Sequence, residues 1–353
     1  MKKNNVKILV NVSLAIVCIA LFLLLFVSIL FAFNQNVLAV ILSVGLGLFI
    51  ILVSNSIFHE LGHAIIGVFS GLELYSIKFF CFLFVREKGE IKFKFDKSLG
   101  ELGSTVLNPK TKEKVLKKYV ASAMGGLGAT FILLLAQILI CSLTKNLIVY
   151  CALGITFPLT VYIFMVNLLP VFENNDGYLV YKYLSGGDER EIIENYFTLI
   201  AELFLGVEPC DVTPSLLIKY NGVSGYSANI RYLRYLAFIR SDEERALKEL
   251  REISDLSAIS NLNDEIFEEL FFSAILLNDK RFIKANEQSA LAVFEKPVRP
   301  QTYRIHGAYR IWSGEKDWAK LILTSGIEFC KDYAVKGLAS SEKKYMELLI
   351  KNI

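Results

Sequence analysis

Two histidines and a glutamate with the spacing of a metal-binding helix lie at residues 59–63. The segment reads His59-Glu-Leu-Gly-His63. In an α-helix, residues four apart lie on one face, so His59 and His63 can each present a ring nitrogen to one Zn²⁺. Glu60 would lie beside them, where a carboxylate can take a proton from a metal-bound water. The spacing therefore predicts metal-assisted hydrolysis with Glu60 as the general base.

The position of this motif in the chain strengthens the prediction. No charged residue occurs between Ile8 and Phe58, so the motif ends a long apolar run. An acidic side chain at membrane depth costs about 2.5 kcal/mol or more unless something compensates its charge. A bound divalent cation would do so. The alternative is a polar junction at the membrane surface, in which the three side chains satisfy one another and the lipid headgroups.

A catalytic zinc usually has three protein ligands and one open position, so a third donor is required. The remaining histidine, His306, lies far along the chain and is predicted to be an ordinary helix-surface residue. Asp176 is the better candidate, because Pro170 ends a helix and the sequence Asn174-Asn-Asp-Gly177 permits a tight turn back toward the membrane. We therefore expect Asp176 at the level of the two histidines.

The elements that would hold these residues are membrane-spanning helices. Hydrophobic residues make up 54% of the 353 residues, with a mean hydropathy of +0.46, which is too apolar for an ordinary soluble domain. The apolar run after Lys7 is too long for a signal peptide, and we interpret it as a retained first span. Polar breaks at Asn34-Gln-Asn36 and Lys145 divide two apolar blocks into spans of about 20 residues or more. The predicted spans cover about 8–33, 37–72, 119–143 and 147–168.

Basic residues predict the orientation of the spans. Residues 1–176 hold 15 of the 38 Lys and Arg, and all but Lys145 lie before the first span or in the segment 73–118. Because positive charge marks the cytoplasmic side, we expect a multi-pass protein of the cell membrane with both termini in the cytoplasm. The net charge is only +3 and the basic residues flank apolar spans, which argues against nucleic-acid binding.

A β-hairpin insert is predicted at residues 74–96, between the second and third spans. Ile91, Phe93 and Phe95 alternate with charged residues, and Gly89 supplies a turn. The hairpin would be apolar on one face and basic on the other, at the cytoplasmic surface of the membrane. It is either a structural connector or an exposed edge that holds an extended peptide by strand addition.

The remaining residues, 186–353, have the pattern of a helical domain. Segments marked by Ala237, Ala274 and Ala308 recur at intervals of 37 and 34 residues, each followed by a second amphipathic helix. This spacing favours helix pairs of the tetratricopeptide type, with a plain helical bundle as the alternative. The predicted fold is thus an all-α polytopic membrane domain over 1–185, followed by a C-terminal α-helical cytoplasmic domain over 186–353. The second domain would bind a cytoplasmic protein or peptide partner.

These motifs together resemble the site-2 protease family of intramembrane zinc metalloproteases. The resemblance covers about residues 37–185 and rests on the HELGH of 59–63, the Asn-x-x-Pro of 167–170, the Asp-Gly of 176–177 and the glycine-rich segment 123–128. It implies these roles: His59, His63 and Asp176 as Zn²⁺ ligands, Glu60 as the base, and Asn167 as an amide that orients the substrate or the oxyanion. Two departures are a longer loop from 170 to 176 and Gly125-Gly126 in place of the usual Gly-Pro.

The resemblance also implies a substrate class. Zinc-activated water would cut a peptide bond in or near the membrane, in a transmembrane regulator or a small precursor peptide whose helix first unwinds. Two other functions fit the same residues. One is a catalytically silent member of the fold that acts as a membrane-anchored, partner-binding scaffold, and the other is a transporter or immunity-type protein whose polar cluster binds an ion.

Overall fold

A computed structural model of the chain describes residues 3–32, 37–87, 89–96, 102–173, 175–218, 220, 224–254, 263–295 and 297–353. The predicted break at Asn34–Asn36 and Asn174 of the predicted turn lie outside these residues. The chain forms two units, which are Met1–Asn108 with Lys117–Gly187, and Pro109–Leu116 with Asp188–Ile353. The segment 109–116, expected in the first domain, thus belongs to the second unit.

Four of the described helices are long and apolar enough to cross a membrane. They are α1 (Lys3–Ala32), α2 (Val37–Phe69), α3 (Val115–Leu143) and α4 (Leu147–Leu168). Large apolar side chains such as Leu24 and Phe49 are two-thirds exposed on these helices, as expected where a helix faces lipid. The four helices lie where the sequence predicted spans, and they indicate a membrane protein.

Local sequence explains where these helices begin and end. Asn146 caps α4, because its side chain accepts hydrogen bonds from the backbone N–H groups of Ile148 and Val149. Gly71 has a φ of +93°, which ends α2 earlier than predicted and turns the chain into the first strand. Between α2 and α4, a side chain on Gly47 would lie 2.1 Å from the Ala152 carbonyl oxygen, so this glycine permits the close crossing.

The insert between α2 and α3 is a four-stranded sheet, larger than the predicted hairpin. Its strands are β1 (Leu72–Phe79), β2 (Phe82–Glu87), β3 (Glu90–Phe95) and β4 (Gly103–Pro109), in the order β3-β2-β1-β4. The pairs β1/β2 and β2/β3 are antiparallel, and β1 packs on α2. The strands β3 and β4 therefore form the two outer edges.

The second unit is helical in its described residues. After α5 (Asp176–Ser185), which ends the first unit, it contains α6 (Asp188–Phe204), α7 (Gly225–Phe238), α8 (Glu243–Ser254), α9 (Asn263–Leu276), α10 (Lys280–Phe294), α11 (Pro300–Trp312), α12 (Lys316–Cys330) and α13 (Lys336–Lys351). Short 3₁₀ turns lie at Pro209–Asp211 and Pro214–Leu216. The helices α7 and α8, α9 and α10, and α11 and α12 pack as neighbours. The tetratricopeptide assignment stays a prediction.

The segment Pro109–Leu116 is fastened to this helical unit by a buried carboxylate. Glu202 on α6 is 2% exposed, and its Oε1 lies 3.1 Å from Lys112 Nζ. The same carboxylate accepts hydrogen bonds from the backbone N–H of Thr213 at 3.0 Å and from its hydroxyl at 2.8 Å. Three donors therefore compensate the burial of this charge.

Candidate metal centre

Three candidate ligand atoms converge within the first unit. His59 Nε2 lies 3.1 Å from His63 Nε2, and Asp176 Oδ2 lies 3.3 Å from the first nitrogen and 3.2 Å from the second. Ligand atoms that hold a tetrahedral zinc at about 2.0–2.2 Å lie about 3.3–3.6 Å apart. The three atoms are therefore spaced close to three corners of such a site.

The aspartate oxygen also lacks a partner that a cation would supply. Asp176 Oδ2 is buried, and no donor among the described residues reaches it with hydrogen-bond geometry. A buried anionic oxygen in this state costs free energy unless a positive charge compensates it. The donor set of two imidazoles and one carboxylate, with a fourth position left for water, fits a catalytic zinc ion.

The two histidines lie one turn apart on α2, and glycines of α3 make room for them. A side chain on Gly126 would lie 2.4 Å from His63 Nε2, so only glycine leaves space for that ring. A side chain on Gly125 would lie 2.4 Å from the Gly62 carbonyl oxygen, which keeps the two helices in close contact. Within the glycine-rich segment, Gly125 thus permits the close helix contact and Gly126 accommodates a candidate ligand.

A hydrogen-bond pair on α3 sets the tautomer of His59. Its Nδ1 lies 3.2 Å from the Gly126 carbonyl oxygen and 3.0 Å from Thr130 Oγ1. A carbonyl can only accept a hydrogen bond, so we assign the ring proton to Nδ1. The lone pair of Nε2 is then free to face the other two candidate ligand atoms. Thr130 is 1% exposed and was missed by the sequence analysis. Its distance of 71 positions from His59 leaves no local signal.

Glu60 stands beside the ligand cluster without belonging to it. The described ligand cluster comprises His59, His63 and Asp176, and Glu60 is 8% exposed. Thr105 Oγ1 on β4 lies 2.7 Å from Glu60 Oε2, to which it donates. A side chain on Gly103 would lie 2.8 Å from Glu60 Cγ, so β4 packs directly on this side chain. The strand next to Glu60 is thus β4, which the sequence analysis did not predict.

The turn after α4 fixes the position of Asp176. Asn175 Nδ2 donates to the Val166 carbonyl oxygen at 2.5 Å, which ties the turn to the end of α4. A side chain on Gly177 would lie 1.9 Å from the Leu168 carbonyl oxygen, so this position admits only glycine. The asparagine and the glycine that predicted a turn thus hold Asp176 at the first position of α5.

The last predicted site residue, Asn167, lines the same cavity. This cavity has a volume of about 300 Å³ and is also lined by the three ligand candidates, Glu60 and Thr105. Asn167 Nδ2 donates to the Ile163 carbonyl oxygen at 3.1 Å, one turn earlier in α4. Its second amide hydrogen and its oxygen can serve a bound peptide, so its orienting role stays a prediction.

His306 lies in α11 of the helical unit and takes no part in the described ligand cluster. Its ring is half-buried, stacked on Phe294 at 4.5 Å, and its Nε2 accepts a hydrogen bond from Arg310 Nε at 3.1 Å. Burial, together with the nearby Arg310 charge, lowers the pKa of His306 to about 4. The predicted helix-surface residue is therefore a packed, neutral side chain.

Comparison of the chain with protein-family models, with curated proteins and with solved structures finds no match. The chemistry of the site itself is therefore what indicates a function.

Proposed function

We propose that this protein is an intramembrane zinc metalloendopeptidase of the site-2 protease type. The observation that carries the proposal is the triangle of His59 Nε2, His63 Nε2 and Asp176 Oδ2, with sides of 3.1–3.3 Å, at the end of an apolar helix. A cation bound by all three atoms would explain why a carboxylate oxygen without a hydrogen-bond donor is buried next to two imidazole nitrogens.

These three residues would hold Zn²⁺, which, when bound, acidifies a water and polarises the peptide carbonyl. Glu60 takes the proton from the attacking water on its carboxylate and returns it to the leaving amine. The hydroxyl of Thr105 donates to Glu60 Oε2 and so orients the carboxylate. Asn167, on the cavity wall, would orient the substrate amide.

Peptide binding is assigned to β4. This strand is an outer edge of the sheet and lies against Glu60, so an extended peptide can pair with it by strand addition. The substrate would be a transmembrane regulator or a small precursor peptide, unwound near the scissile bond. We further propose a multi-pass protein of the cell membrane with both termini in the cytoplasm, whose helical unit binds a cytoplasmic protein or peptide partner.

The test compares Glu60→Gln with wild type in the same membranes, and uses Glu90→Gln on the exposed strand β3 as the matched control. Glu60→Gln keeps the shape of the side chain but removes its basicity, so turnover should fall by about 10²- to 10⁴-fold while zinc content stays unchanged. Membrane peptides that accumulate with Glu60→Gln, but not with Glu90→Gln, identify the substrate.

Three results would contradict the proposal in different ways. If the wild-type protein contains no zinc, the proposed metal centre is wrong. Zinc without any accumulated or cleaved peptide would favour the silent scaffold. Loss of zinc in Glu60→Gln would make Glu60 a ligand or a structural residue.

A further inference from the structure

The cavity at the candidate metal centre continues one helical turn beyond His63, toward the end of α2. Gly67 lies four residues after His63 on this helix. A side chain on Gly67 would lie 2.5 Å from Leu107 Cδ1 and 3.2 Å from Ser122 Oγ. Both of these residues line the cavity. Because one turn of an α-helix rises about 5.4 Å, the cavity extends about that far past the histidine.

The helices α3 and α5 supply the other walls of this extension. Ala123 lies three residues before Gly126, the glycine that faces the His63 ring. Leu179 lies three residues after Asp176 and so shares its side of α5. The extension, which we call the side pocket, is lined by Leu107, Tyr119, Ala123 and Leu179.

The wall of the side pocket is apolar, although hydroxyl groups lie beside it. The Tyr119 hydroxyl donates to the Leu107 carbonyl oxygen at 2.6 Å. Ser122 Oγ donates to the His63 carbonyl oxygen at 3.0 Å. Each hydroxyl proton is therefore used by a backbone carbonyl, and the tyrosine presents its ring to the pocket.

The charge and size of the cavity limit what the side pocket can bind. Of the described residues that line the cavity, the acidic ones are Glu60 and Asp176, and both lie at the metal end. A charged side chain in the side pocket would be buried away from these carboxylates, which costs free energy. The whole cavity of about 300 Å³ equals the volume of about ten water molecules. After a cation, its water and a peptide bond are placed, the rest suits one leucine-sized side chain.

We propose that the side pocket binds a leucine-sized apolar side chain of the substrate next to the scissile bond, and that Ala123 sets its size limit. This inference rests on the proposed function and adds a substrate preference to it. On β4, the side chains of Thr105 and Leu107 lie on the same face, about 7 Å apart. A peptide paired with this strand would therefore pass Glu60 and the side pocket within one strand repeat.

The experiment measures the binding of two hydroxamates to the zinc-loaded full chain in detergent by isothermal titration calorimetry. Acetohydroxamate reaches only the metal, whereas 4-methylpentanohydroxamate adds a leucine-like chain. Because this chain becomes buried, the second compound should bind wild type about 10- to 50-fold more tightly. The substitution Ala123→Leu should abolish the difference and leave acetohydroxamate binding unchanged. Ala121→Leu is the matched control and should keep the difference, because Ala121 is half-buried on the same helix but does not line the cavity.

A second variant keeps the test decisive if Ala123→Leu does not fold. Leu179→Ala enlarges the side pocket, so it should shift the preference from 4-methylpentanohydroxamate toward the bulkier 3-phenylpropanohydroxamate.

Two outcomes have different meanings. If wild type binds acetohydroxamate and 4-methylpentanohydroxamate equally, or if neither variant changes the preference, the side pocket is wrong and the metal centre stands. If zinc-loaded wild type does not bind acetohydroxamate, the proposed metal centre is contradicted, and the side pocket with it.

Discussion

If His59, His63 and Asp176 hold zinc as we propose, replacing Gly126 by alanine should weaken zinc binding while leaving the helix intact. The added methyl group would lie 2.4 Å from His63 Nε2 and 2.7 Å from its Cε1. Ordinary contact begins at 3.4 Å, so the ring must move by about 1 Å. A metal site tolerates ligand displacements of only about 0.2 Å. We therefore expect zinc affinity to fall by about 100-fold or more.

The same substitution should raise the stability of the helix while zinc affinity falls, so the effect on folding can be distinguished from the effect on the metal site. Alanine in a helix interior is favoured over glycine by about 0.8–1 kcal/mol. Gly128→Ala is the matched control, because a side chain at this position of α3 meets nothing within 4 Å. Gly125→Ala tests helix packing instead, since its methyl group would meet the Gly62 carbonyl oxygen.

The assay is competition for Zn²⁺ against a chromophoric chelator, with purified protein in detergent and thermal unfolding measured in parallel. The expected pattern is weak zinc binding for Gly126→Ala, and wild-type binding for Gly128→Ala. Wild-type zinc affinity in Gly126→Ala would refute the placement of His63 in a metal site. Equal losses in Gly125→Ala and Gly126→Ala would assign the effect to helix packing.

Two further substitutions test other parts of the structure. Thr130→Val should lower zinc affinity by about 10- to 100-fold in the same competition assay, and Thr130→Ser should restore it, because the hydroxyl helps fix the His59 tautomer. The buried Thr160→Val is the control and should bind zinc like wild type. Burial alone would raise the pKa of Glu202, but hydrogen bonds from Thr213 and the charge of Lys112 bring this pKa below 4.5. The ionised carboxylate therefore contributes its full stabilisation above pH 4.5, and this contribution is lost as the pH falls through the lowered pKa. Glu202→Gln should therefore flatten the loss of stability in acid, measured by denaturant unfolding at several pH values, and an unchanged acid limb would contradict it.

The parts of the structure that could be predicted are those that local spacing determines. His59 and His63 share a helix face because they are four residues apart, and the spans follow from apolar runs divided by polar breaks. The position of Asp176 could also be predicted, since neighbouring asparagine and glycine residues favour a turn. In each case the signal lies within a few residues of the feature.

The parts that could not be predicted depend on contacts between distant segments. Thr130 reaches His59 across 71 positions, and Thr105 reaches Glu60 across 45. The strand β4 was missed because Gly103-Ser-Thr-Val-Leu-Asn-Pro109 lacks clean alternation of polar and apolar residues. Its strand conformation comes from pairing in the sheet and packing on Glu60, which no short window of sequence reports.

The attachment of Pro109–Leu116 to the helical unit sets an order of events during synthesis. Lys112 leaves the ribosome 90 residues before Glu202, which takes about 5–18 s at ordinary elongation rates. During that interval the rest of α3 and all of α4 are synthesised, while Glu202 is not yet present for Lys112 to bind. Synthesis of both helices is therefore complete before the helical unit can close around this segment. A fragment that starts at residue 188 would lack Lys112 altogether, so dissecting the protein there would leave Glu202 buried without its cation.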